Sequence, residues 1–158
     1  VYVVPAFAGL GAPWWQGDVK AAILGMTLGT GKPHVLRAAL ESIAYQVNDL
    51  VRAMTSQAGI KLKEVRADGG PTKNKFLMQF QADLTGVRII RPSVMESTAL
   101  GAAMFAGLAV GFWHSTDEIC ALLKPDRTFS PEAAPALMEQ RRKRWHEAVR
   151  RSRHWIEE

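Results

Sequence analysis

The stretch Arg66-Ala67-Asp68-Gly69-Gly70-Pro71-Thr72-Lys73-Asn74 carries the residue types that hold an anion. Glycine accepts positive φ and lets another group come close to the backbone. Successive N–H groups in such a turn form an anion-binding nest, and a helix N-terminus behind it adds partial positive charge. Gly69 and Gly70 are therefore the candidate phosphate contacts, and Asn74, expected one turn into the helix, offers an amide to a base or ribose. A plain strand-to-helix turn explains the same residues equally well. Magnitudes limit the first reading. A helix terminus contributes roughly 0.3–1 kcal/mol per favourable charge, whereas micromolar binding needs about 8 kcal/mol. A nucleotide bound here needs a buried purine face and a second surface on its phosphates.

Chemistry would also need a carboxylate. Asp68, Asp83 and Glu96 are the candidates, and each has a structural explanation. Asp68 suits the organisation of its own turn, Asp83 a surface or capping position on a helix, and Glu96 the start of the helix after it. None is assigned as a catalyst. His34, His114, His146 and His154 lack metal-ligand spacing, and Cys120 is the sole cysteine, so no metal centre is expected.

These residues must be positioned by regular elements. Tyr2–Phe7 and Ala21–Met26 read as short strands, with a glycine-rich loop and the pair Trp14-Trp15 between them. Trp14 and Trp15 are expected to pack over a core or an inter-domain seam. Thr30-Gly31-Lys32-Pro33 announces a helix. Leu36, Ala39, Leu40, Ile43, Val47, Leu50, Val51 and Met54 then follow the helical period, and Gly59 ends the run. Leu62–Ala67 is a strand leading into the glycine turn. Lys73–Leu84 is a helix with Phe76, Leu77, Phe80 and Leu84 on one face, and Val87–Ile90 is a strand. Ser97–Leu108 is a helix whose small residues suit close packing on a sheet or helix. A tail helix is expected over about 131–156. Strands alternating with helices predict an α/β layer fold with parallel pairing.

Bulk properties agree with one soluble-type domain. The 158 residues suffice for a core, and 47% hydrophobic with 22% charged residues is ordinary. No apolar run reaches the roughly 18 residues of a membrane span. One cysteine excludes an intrachain disulfide and, with no signal peptide in view, points to a reducing, cytoplasmic setting. The chain opens at Val1 inside a β-like run without an initiator Met, which suggests a piece of something longer. The net charge of +5 is mild. Its one basic cluster, Arg141–Trp155, overlaps the stripe Leu137, Met138, Arg141, Trp145, Ala148, Val149, Ser152 and Trp155, a packing face interrupted by Arg141 and Ser152 with Glu139, Glu147 and Glu157 around it. A docked helix with a solvated face is the expectation, rather than a nucleic-acid or membrane surface.

Larger blocks now become recognisable. Ala21-Ala22-Ile23-Leu24-Gly25-Met26, a seven-residue gap and His34-Val35-Leu36-Arg37-Ala38-Ala39-Leu40-Glu41 resemble a signature of the carbohydrate kinases that phosphorylate glycerol, xylulose and gluconate. "VYVVPAFAGLGAPWW", "DGGPTKNKFLMQFQADLTGV" and "ESTALGAAMFAGLAVGFW" resemble the glycerol kinases in particular. The resemblance implies an actin-like, ribonuclease H-like α/β domain with a mixed sheet flanked by helices and a C-terminal tail helix. Residues 1–158 would form the C-terminal nucleotide-binding domain of a two-domain enzyme. It further implies MgATP as phosphoryl donor, with Gly70 and Asn74 at ADP-contacting positions and Gly69 beside them. The catalytic Asp, the glycerol contacts and most magnesium ligands would lie in an N-terminal domain absent here. Partners would be that domain, glycerol at the inter-domain cleft and further copies of the parent in a homo-oligomer. Two positions depart from the common pattern, Gln16 in place of Asp and Leu28 in place of Arg. Leu137 replaces the acidic residue through which some members share a metal with a regulatory protein, so that regulation is not expected. A kinase for another polyol or sugar, and a non-catalytic binding module, are the alternative readings.

Overall fold

The computed structural model describes residues 1–94 and 96–153. Five strands and five helices follow the order β1 (Tyr2–Val4), β2 (Ala22–Leu24), α1 (Lys32–Ala58), β3 (Glu64–Arg66), α2 (Lys75–Thr85), β4 (Arg88–Pro92), α3 (Ser97–Ala109), α4 (Thr116–Leu122), β5 (Pro125–Phe129) and α5 (Pro135–Ser152). A 3-10 turn over Gly70–Lys73 stands between β3 and α2.

The pairing is mixed rather than parallel throughout. β1 and β2 form an antiparallel ribbon with Val3 opposite Ile23. β3 runs parallel to β4, Val65 opposite Ile89, while β5 lies antiparallel to β4, Ile89 opposite Phe129. The expected parallel pairing holds for β3 and β4, joined through α2, but not for β4 and β5, although α3 and α4 lie between them. β5 and α4 are additions to the elements read from the sequence.

The long helix α1 spans 27 residues, about 40 Å. Pro33 sits in its first turn, and Gly59 closes it in the left-handed region at φ 64°. Gly86 closes α2 in the same way at φ 74°. Each glycine amide donates to a carbonyl four residues back, which satisfies one orphan acceptor of its helix end.

Against its apolar pattern, α1 turns its polar face inward. Leu36, Ile43, Leu50 and Met54 are exposed, whereas Glu41, Ser42, Tyr45, Asn48 and Asp49 are buried. A bonded partner offsets the cost of burying a polar group, and two of these groups have partners on α5, whereas the Asn48 amide and the Tyr45 hydroxyl have none among the described residues. Asp49 accepts from Trp145 Nε1 at 2.7 Å and bonds His146 Nε2 at 2.9 Å. Glu41 accepts from Arg37 Nε at 2.8 Å and Arg141 Nη1 at 3.2 Å. Burial pushes the Tyr45 phenol up, with Tyr2 and Glu41 adding to the effect. Its ring stacks on Trp145 at 5.1 Å and meets the edge of Phe80 at 5.5 Å.

One contiguous core results, from Val4, Ala6, Leu10 and Val19 through Leu77, Phe80, Leu84, Ile89 and Phe129 to Met138, Trp145 and Val149. The tail helix is shorter at its start than 131, because Asp83 Oδ1 takes the Glu132 and Ala133 amides and holds that segment as a loop. Asp83 thus pins a loop, and α5 itself begins after Ala134 without a side-chain cap. The expected helix residues beyond 153, Trp155 among them, lie outside the described residues. Of the tail stripe, Met138, Trp145, Ala148, Val149 and Ser152 are buried while Leu137 is exposed. Trp14 packs against the core and Trp15 is 79% exposed, so the tryptophan pair divides between core and surface.

The small-residue helix α3 has no buried residue. Phe105 and, beyond the helix, Val110 and Phe112 stand out from the surface. The close packing expected of its alanines and glycines is seen only where Trp113 folds back over Gly107. A Cβ on that glycine would run into the Trp113 indole.

Candidate functional site

The glycine turn begins where β3 ends, at the carboxyl end of a parallel strand, the position at which α/β sheets take ligands. Gly69 adopts φ 85°, a conformation that side chains rarely take. The turn is held by Thr72, whose hydroxyl and amide both donate to Gly69 O, at 2.7 and 3.1 Å. Asp68 is exposed and takes no part in a described hydrogen bond, so organisation of the turn passes from Asp68 to Thr72.

Among the described residues, neither the Gly69 nor the Gly70 N–H donates to a protein acceptor. Gly70 is exposed, and a Cβ placed on it would meet nothing within 4 Å. Both amides are thus open to a ligand atom. Asn74 lies at the N-cap of α2 rather than one turn inside it, because the 3-10 turn takes up the preceding four residues. Its Oδ1 accepts the Leu77 amide at 3.1 Å, an interaction worth about 1 kcal/mol. That bond fixes the side chain and leaves its NH2 group for a ligand. Gly69, Gly70 and Asn74 therefore share one turn.

A second layer was invisible in the sequence. Arg91 on β4 donates from Nη1 to Thr72 O at 3.0 Å and from Nε to Asp126 Oδ2 at 2.7 Å. It braces the 3-10 turn from the sheet, with its own charge balanced by Asp126. Asp126 belongs to β5, the strand that the sequence reading lacked, so the brace had no visible anchor.

Beside the turn lies an apolar cavity of about 560 Å³ between β3, β4, α3 and α4. Ala67, Ile90, Leu100, Met104 and Trp113 line it and Asp68 marks its rim, while Gly69, Gly70 and Asn74 do not line it. Glu96 stands at the start of α3 and makes no side-chain cap. His34 Nδ1 accepts the Gly31 amide at 3.1 Å and so closes the start of α1. Among the described residues, no group of three or more His, Cys, Asp or Glu is placed to hold a metal ion. Gly69, Gly70 and Asn74 offer N–H donors, which suit an anion and not a metal ion. No helix among the described residues is long and apolar enough to cross a membrane.

A mixed sheet flanked by helices, an Asp-Gly-Gly turn at a strand end and a capped helix behind it define an actin-like, ribonuclease H-like α/β fold. Residues 1–110 match the C-terminal domain of the FGGY family of carbohydrate kinases, and the chain belongs to that family. It is 52% identical over 158 residues to the glycerol kinase of Petrotoga mobilis, covering 100% of this chain and 32% of that protein. To the glycerol kinase of Solidesulfovibrio magneticus it is 54% identical over 157 residues, covering 99% and 32%. A crystal structure of Plasmodium falciparum glycerol kinase with ADP superposes with a TM-score of 0.87 at 42% identity, over 99% of this chain and 31% of that one. The xylulose kinase of Lactobacillus acidophilus shares the fold, with a TM-score of 0.83 at 24% identity over 95% of this chain and 31% of that one. The chain spans about a third of the length of the curated relatives it matches.

Proposed function

We propose that this chain is the C-terminal, nucleotide-holding part of an ATP-dependent glycerol kinase, which moves the γ-phosphoryl group of ATP to a primary hydroxyl of glycerol. Such transfer depends mainly on positioning and on stabilising charge. Here the Gly69 and Gly70 amides donate to the diphosphate, with the α2 N-terminus adding positive potential and Arg91 bracing the turn. The Asn74 NH2 group faces the nucleoside. The base that activates glycerol, the glycerol contacts and the magnesium ligands come from polypeptide outside this chain. Closure of that second body over both substrates would exclude water, the competing acceptor. The parent acts as a homo-oligomer in this reading.

The observation that carries the reading is the open glycine turn, with two unclaimed amides and no Cβ in their way. Identity above 50% to glycerol kinases over the whole chain favours glycerol over another polyol. Soaking crystals of the chain with ADP tests it. The expected density puts a phosphate oxygen about 2.9 Å from Gly70 N, with the nucleoside beside Asn74. ADP lodged under α3 in the apolar cavity, with both amides still facing solvent, would count against it.

A further inference from the structure

The cations of α5 are mostly neutralised where they stand. Arg142 is held by Glu139 and by Leu84 O, and Arg150 and Arg151 share Glu147. Arg144 has no carboxylate within ion-pair reach among the described residues. It lines a groove of about 310 Å³ between the first turns of α1 and α5, together with His34, Arg37, Glu41, Gln140 and Arg141. Among the described residues the groove's only carboxylate is Glu41, whose side chain is 9% exposed. Arg37 and Arg141 both spend one donor on the same oxygen of it, so three guanidinium groups face a single buried negative charge.

Two of those guanidinium groups are also fixed in orientation. Phe76 and Phe80 of α2 stack at 6.0 Å with their planes 7° apart. Arg37 lies over the Phe76 ring at 4.9 Å and Arg141 over the Phe80 ring at 5.6 Å. Braced between Glu41 and an aromatic face, each presents its remaining N–H donors without further ordering, which lowers the cost of binding. Counted over side chains, Arg37, Arg141 and Arg144 against Glu41 leave an excess of two positive charges, which matches a dianion, and Val1 also lines the groove. Guanidinium forks suit phosphate oxygens in particular, and the volume lies at the small end for ligand sites.

We infer that the groove between α1 and α5 is a binding site for a phosphate monoester, held by Arg37, Arg141 and Arg144. It is separate from the glycine turn and does not depend on the nucleotide reading. A nucleic-acid backbone is disfavoured because the paired cations leave no continuous basic stripe. The monoester is carried either by a small metabolite or by a phosphorylated side chain of a partner.

Nuclear magnetic resonance titration of the 158-residue chain tests the inference. The probes are inorganic phosphate, glucose 6-phosphate and a phosphoserine peptide, each at constant ionic strength with sodium chloride as the control. Saturable shifts of the Arg37 and Arg141 Nε–H signals are expected, with a Kd on the order of 1 mM for phosphate alone. Arg144→Ala, or Arg144→Gln should the first fold poorly, is expected to weaken binding about tenfold. Lys143→Ala, on the neighbouring position, should leave it unchanged. Tighter binding of the sugar phosphate assigns the site to a metabolite, and tighter binding of the peptide assigns it to a modified partner. Shifts that never saturate, that sodium chloride reproduces, or that survive in both Arg144 variants would overturn it.

Discussion

Trp145→Ala is expected to lower stability by about 3–5 kcal/mol, the range for removing a large aromatic from a core. Trp145 is fully buried, stacks on Tyr45 and gives Asp49 one of its hydrogen bonds. Removing the indole leaves a cavity between α1 and α5 and a buried carboxylate oxygen without its donor. The second effect adds to the first, because an unsatisfied buried charge keeps its full desolvation cost. A melting point lower by about 10 °C or more follows for a chain of this size. Trp145→Phe is the milder change, since it retains one ring against Tyr45 while losing the N–H and the second ring of the indole. Its expected loss is about 1–3 kcal/mol. Thermal melts followed by circular dichroism measure both variants. A melting point within a degree or two of the parent chain for Trp145→Ala would show that α5 is not anchored through this residue.

The second large effect is expected at Gly9. Its φ is 81°, and a Cβ placed there would lie 2.6 Å from Gly17 Cα and 2.7 Å from Gln16 O. These are backbone atoms, so no side chain can swing away. The clash would pull apart the paired Leu10 and Gln16 amides, which bond each other's carbonyls at 2.7 and 2.8 Å. It would also shift Trp14, whose indole packs on the core and edges against His146 at 5.5 Å. Steric overpacking and left-handed strain together put the cost of Gly9→Ala at roughly 3 kcal/mol. Gly11 is the control, because a Cβ there meets nothing within 4 Å and its φ is not in the left-handed region. Gly11→Ala should change stability by no more than about 0.5 kcal/mol. Urea midpoints report the difference, and hydrogen exchange at Leu10 and Gln16 locates it. Equal midpoints for the two variants would contradict this packing of the loop.

Much of the framework was legible because local chemistry decided it. Pro33 and Gly59 mark the two ends of α1, and Gly86 ends α2, each by a requirement of the backbone itself. The strand, glycine turn and helix of the candidate site follow in the expected order. What escaped depended on partners distant in sequence. β5 reads Pro-Asp-Arg-Thr-Phe, with four of five residues exposed, so no alternation of apolar and polar residues announces it. α4 has only seven residues, too few to display a helical period. The inward turn of the polar face of α1 rests on Arg141, Trp145 and His146, about a hundred positions away. In the site, Gly69 and Gly70 declare themselves by residue type. The Arg91 brace does not, since it joins β4, the turn and the unread strand. Asn74 was placed one turn too deep because a 3-10 turn preceding an α-helix has no sequence signature of its own.

The most direct test of the nucleotide reading is a calorimetric titration of the chain with ADP, beside the variant Gly70→Asp. That substitution meets no neighbour and imposes no positive φ, so the fold should be unaffected while a carboxylate enters the phosphate position. Weak, saturable binding is expected, on the order of 0.1–1 mM, together with at least a tenfold loss in the variant at an unchanged melting temperature and no turnover of glycerol by the chain alone. Equal ADP affinity in the two proteins, or phosphorylation of glycerol by this chain without other polypeptide, would contradict the assignment of the glycine turn to the diphosphate and of the activating base to residues elsewhere.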